Sequence, residues 1–184
     1  MNIEIAAQTT PNPNTLKFIV NQILLDNGTA DFTNKAEASE SPLAAKLFDL
    51  ENVTGVFVGT NFVTVTKSEN ANWEQLSEPV INTLRATITA GGTLVTASSA
   101  HNTANSGAES EIETKIKQVL DQEIRPAVAM DGGDITFHSY NDGIVTLHLR
   151  GACSQCPSAT MTLKMGVEAR LKEVVPEVKE VVQI

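Results

Sequence analysis

Gly151-Ala152-Cys153-Ser154-Gln155-Cys156-Pro157-Ser158-Ala159 holds both cysteines of a 184-residue chain, three positions apart, where an apolar alternation gives way to a helical pattern. Cysteine used only as a small core residue would be scattered through apolar stripes. Here both thiols stand among Gly, Ala, Ser and Gln, so the pair points to metal or redox chemistry.

Upstream, Ile135 to Tyr140 and Ile144 to Arg150 read as two strands of a hairpin. Ile135 and Phe137 alternate with Thr136 and His138, as Val145, Leu147 and Leu149 do with Thr146 and His148, and both apolar sets must face one core. A three-residue loop of Asn141, Asp142 and Gly143 then pairs Phe137 with Leu147, Ile135 with Leu149, Asp134 with Arg150 and Tyr140 with Ile144. That register leaves polar Ser139 on the core face beside the turn. Met130-Asp131-Gly132-Gly133-Asp134 supplies the turn into the first strand, and Ser110-Glu111-Ile112-Glu113 is a capping box for a helix burying Ile112, Ile116, Val119, Leu120 and Ile124. Pro126 ends or restarts that helix. Downstream, Pro157 suits a first helical turn; Leu163, Val167, Leu171 and Val174 form the buried face, Pro176 stops it, and Val178 to Ile184 adds a strand. The order is α-β-β-α-β.

Residues 1–90 form a separate mixed domain: strand-like Asn2 to Thr9 and Thr15 to Leu25, a helix over Pro42 to Leu50, and a hairpin of Val53 to Val58 with Phe62 to Lys67. A second helix, capped by Asn72, carries Leu76, Val80, Leu84 and Ile88, with Pro79 a point where it kinks or restarts. From Ala90 the periodicity stops and small polar residues take over. The fold class expected is α+β, two small mixed domains, 1–90 and 110–184, joined by a flexible linker over 91–109 spanning roughly 20 to 25 Å.

Composition excludes several classes. With 41% hydrophobic and 19% charged residues the chain can bury a core. Its net charge of −9 repels phosphate backbones and anionic lipid, so neither nucleic acid nor membrane is an expected partner. The amino terminus shows no basic, apolar or Arg-rich targeting pattern, and two cysteines make no disulfide framework, which together predict a cytoplasmic protein.

The cysteine pair admits three chemical readings. A dithiol oxidoreductase of the Cys-x-x-Cys type would also use a helix N-terminus to lower a thiol pKa, but only 28 residues follow Cys156, too few to complete a thioredoxin fold. A zinc-binding structural module would need two further ligands, for which His138 and His148 on the outer hairpin face are the candidates. An iron–sulfur cluster takes four thiolates, which a symmetric dimer of this chain supplies as two pairs.

The segment Met130 to Asp134, the hairpin, Leu149 to Ser158 and the following helix resemble the carboxy-terminal domain of the NifU-like (Nfu) iron–sulfur proteins. Pro11 to Phe18, Ser41-Pro42-Leu43-Ala44 and Gly55 to Lys67 are similar to the amino-terminal domain of the two-domain members. The resemblance implies a non-enzymatic carrier or late scaffold, with Cys153 and Cys156 as iron ligands at a homodimer interface. Its cargo would be a labile cluster, usually 4Fe-4S, although 2Fe-2S accepts the same four thiolates. Its partners would be itself, an upstream cluster donor and apo client proteins. By the same resemblance, Asp131 to Asp134 is a family signature, to which the residues themselves assign a Gly turn.

Overall fold

A computed structural model of the chain describes residues 3–26, 28–92, 94–95, 110–154 and 157–184. The chain divides into two compact units, Met1–Asn102 and Thr103–Ile184, both mixed α and β. Residues 96–109 of the expected linker lie outside the described residues.

The first unit is an antiparallel sheet in the order β1-β2-β5-β4-β3, with β1 at Ile5–Thr9, β2 at Thr15–Val20, β3 at Ala30–Phe32, β4 at Val53–Val58 and β5 at Phe62–Lys67. Register brings Phe18 opposite Val63 and Val56 opposite Val65. These side chains join Leu43 and Leu47 of α1 (Pro42–Phe48) and Leu76, Val80 and Leu84 of α2 (Trp73–Ala90) in one core. The Asn72 cap accepts from the Glu74 N–H at 3.0 Å, and α2 runs through Pro79 without interruption. β3 has no counterpart in the sequence reading, because three residues are too few to display a period of two. Past α2, Val95 is buried in this core and the Ser41 hydroxyl donates to the Leu94 carbonyl at 2.8 Å, so residues expected to begin the linker belong to the first unit.

In the second unit, the Ser110 capping box opens α3 (Glu111–Val119), with Ser110 N–H to Glu113 Oε2 at 2.9 Å and the reciprocal bond at 3.2 Å. Pro126 has no N–H to give and its ring crowds the preceding turn, so the helix widens instead of stopping. Leu120–Ile124 form a π turn, Arg125 N–H bonding the Leu120 carbonyl, and α4 continues over Arg125–Met130. The sheet order is β6-β7-β8: β6 (Gly133–Asn141) pairs antiparallel with β7 (Ile144–Gly151), and β8 (Glu180–Gln183) lies parallel to β7. α5 (Pro157–Val174) joins β7 to β8. Ile116, Leu120, Ile135, Leu147, Leu149, Val167 and Leu171 form the core.

The hairpin corrects the expected turn. Phe137 faces Leu147 and Ile135 faces Leu149, but the register then slips, giving Ser139–Thr146, Tyr140–Val145 and Asn141–Ile144. The loop has two residues, Asp142 at φ 50° and Gly143 at φ 90°. The reason is Ser139: one extra residue, a bulge at His138, moves this hydroxyl off the core face and brings Tyr140 onto it, packed against the core.

Candidate functional site

β7 ends at Gly151 and α5 starts at Pro157, and between them Ala152 to Ser154 form a turn. The Ala152 N–H donates to the Gly132 carbonyl at 3.2 Å, tying this loop to the turn before β6. The Ser154 N–H and hydroxyl both donate to the Gly151 carbonyl, at 3.2 and 2.9 Å. Cys153 points inward, 5% exposed, and packs with the second unit's core. Cys156, the other predicted ligand, lies outside the described residues.

Gly133 is the floor beneath the Cys153 thiol. A Cβ at residue 133 would stand 2.8 Å from Cys153 Sγ and 2.7 Å from the Arg150 carbonyl oxygen, so only a residue without a side chain lets β6, β7 and the thiol meet. Asp134, the next residue, is buried and held from two sides. Its carboxylate accepts from Arg125 Nε at 2.9 Å and Nη2 at 3.1 Å, and from the Ile135 N–H at 2.8 Å. Arg125 also reaches Asp121 at 3.0 Å. Burial works against the guanidinium charge, but the bonds to the Asp134 and Asp121 carboxylates outweigh it and raise the Arg125 pKa. The segment from Asp131 to Asp134, read from sequence as a turn, therefore also seats a cysteine and clamps helix to strand. Arg125 carried no recognisable signal, because a fork between elements nine residues apart depends on the π turn that aims it.

The histidines named for a zinc site do not gather there. His148 pairs with Thr136, on the face opposite Leu147 and Leu149, and His138 is exposed at the bulge. Burial, then the charges of Arg150 and His138, push the His148 pKa below its ordinary value. Among the described residues no three His, Cys, Asp or Glu side chains are grouped to hold a metal ion.

An α-β-β-α-β unit with a Cys-x-x-Cys sequence between its second strand and second helix, preceded in the chain by a mixed α/β unit, is the architecture of a two-domain NifU-like protein. The family described as "Scaffold protein Nfu/NifU N terminal" matches residues 5–91, and the "NifU-like domain" matches residues 116–182. The chain belongs to the NifU-like (Nfu) family of iron–sulfur cluster scaffold proteins. It is 42% identical over 181 residues to the human "NFU1 iron-sulfur cluster scaffold homolog, mitochondrial", covering 98% of this chain and 71% of that one. It is 43% identical over 183 residues to the protein of the same name from Drosophila erecta, with 98% and 64% covered, and 41% identical over 184 residues to "NifU-like protein 4, mitochondrial" from Arabidopsis thaliana, with 97% and 65% covered. The chain thus spans about two thirds of these relatives' length. Their names overturn the expectation of a cytoplasmic protein. That expectation rested on composition and on the visible amino terminus, which record nothing of the compartment in which a chain works.

Proposed function

We propose that this protein is a non-enzymatic carrier that holds a labile iron–sulfur cluster through Cys153 and Cys156, shared with the same pair of a second copy, and passes it to apo-proteins. The observation that carries the reading is the ligand count: a chain with two cysteines, both in one loop, supplies half of a four-thiolate set. The donor chemistry fits, since soft thiolates suit iron–sulfur clusters. α5 starts at the loop, so its unpaired N–H groups and partial positive end favour the anionic cargo. 4Fe-4S is the cluster this reading adopts, and the relatives' names support a mitochondrial setting for the work.

The chain's own residues provide a seat that opens. Gly151, Ala152 and Ser154 leave the loop with little side-chain cover, while Gly133 and the Arg125–Asp134 clamp keep its base in place. Because Cys153 faces the core, it must turn outward to ligate a cluster shared between copies. Release is ligand exchange: a client thiolate bonds to iron, one Cys153 or Cys156 thiolate leaves, and oxidation states are unchanged. No general acid or base is needed. Cys153→Ser and Cys156→Ser are each expected to abolish cluster binding on anaerobic reconstitution with ferrous iron and sulfide while the apo fold persists by circular dichroism. A single Ser variant that retained full iron and the wild-type visible absorbance would refute the ligand assignment.

A further inference from the structure

We infer that the outer face of the amino-terminal half of α5, carried by Met161 and Met165, is the surface on which a second copy of this chain seats; the inference rests on the shared-cluster reading above. Met161 and Met165 are 68% and 67% exposed, one helical turn apart, while Leu163, Val167 and Leu171 on the other side of the helix serve the unit's own core. A large apolar side chain kept in water twice on one stripe has no role in folding this unit.

Charge selects the occupant. Two copies of a chain of net charge −9 repel each other, and a residue close to a two-fold axis meets its own image, so a charge near the axis meets its like. From Gly151 to Val167 the sequence has a single charged residue, Lys164, whose Nζ lies 3.8 Å from Glu180 Oε1. Later charges on α5 have partners within the unit: Arg170 with Glu123 and Glu173, and Lys172 with Glu168. The charges on this face are therefore few and balanced within the unit, so that the face can meet its own image with little net repulsion. Gly166 adds room beside Met165, since a Cβ there would meet nothing within 4 Å.

Position selects the same face. α5 begins at the residue after Cys156, so Met161 and Met165 stand about 6 and 12 Å along the helix from its first residue. Four thiolates around one cluster bring the two α5 starts side by side, and these methionines are the next exposed apolar groups beyond the ligands. Methionine's flexible thioether suits a contact that must form with the cargo and separate when it leaves.

The test uses the full chain, loaded anaerobically with ferrous iron and sulfide and followed by sedimentation. Met161→Glu with Met165→Glu should raise the concentration at which loaded pairs separate by about tenfold or more, with the apo urea midpoint unchanged, whereas Met161→Leu with Met165→Leu should sediment as wild type. Methyl-labelled methionine spectra of the wild type should show Met161 and Met165 shifting on loading. If the wild type pairs and the double Glu variant pairs as tightly, this inference is overturned and the shared-cluster reading stands. A double Glu variant that pairs normally but delivers its cluster more slowly to an apo-ferredoxin would also overturn it, marking the face as a client surface. A loaded wild type that sediments as a single chain overturns both.

Discussion

At the scale of the residue, the site depends on a missing atom and a buried charge pair. Gly133→Ala places a methyl group within 3 Å of both Cys153 Sγ and the Arg150 carbonyl oxygen, and the carbonyl belongs to a strand that cannot give way cheaply. The expected result is a loss of about 1 to 3 kcal/mol in the unfolding free energy by urea, together with slower loss of iron to a chelator, because crowding the inward seat lowers the cost of turning the thiol outward. A variant with lowered stability but wild-type cluster retention would show that Gly133 serves packing alone. Asp134→Asn removes the buried one of the two carboxylates that hold the half-buried Arg125 guanidinium, leaving only the more exposed Asp121, and should cost about 2 kcal/mol, read from the same denaturation curves. His148 tests the outer face. Its pKa lies below the ordinary 6.5, so as pH falls the unfolded chain takes up the proton first and stability is lost from about pH 7 down through the folded-state value. His148→Gln removes that proton uptake, and its urea midpoints at about pH 7.5 and 5.5 should lie closer together than those of the wild type.

At the scale of the element, what was legible followed from periodicity and caps. The helical stripe of Leu163, Val167 and Leu171, the Ser110 box and the parity of Ile135, Phe137, Leu147 and Leu149 each pair a local pattern with one core face, and each element stands where those patterns put it, except that Val174, expected to end the stripe, is exposed and Val175 is buried in its place. The turn did not follow, although its weak point was visible. Ser139 on a core face can be relieved by a longer loop or by a bulge, and only the packing of Tyr140 against the core decides for the bulge at His138. β3 escaped for want of length, and the helix passed through Pro126 because a π turn absorbs what an α turn cannot. Leu94 and Val95 read as the start of a linker because two residues carry no period, yet the Leu94 carbonyl accepts from both the Ser41 hydroxyl and the Leu43 N–H, and buried Val95 holds them to the first unit. In the candidate site, the spacing and neighbours of the cysteines were legible as a pattern, and their ligand role stands as the proposal above. Their support was not legible, since the Arg125 fork and the fit of Gly133 beneath Sγ join residues that only the fold brings together.

At the scale of the whole molecule, the account reduces to stoichiometry. The sequence holds two cysteines, so on the proposed reading a four-thiolate cargo is completed by a second chain, and cargo and assembly state are expected to rise and fall together. Pairing should therefore be concentration-dependent, lost on chelation and restored on reloading. The net charge of −9 opposes association in the absence of cargo, so raising the salt concentration should strengthen the loaded pair. The decisive measurement is native mass spectrometry of the anaerobically loaded full chain, with iron and acid-labile sulfide counted on the same sample. The account predicts one cluster per two chains, with single chains carrying none; a single chain bearing a complete cluster without added thiol would contradict it.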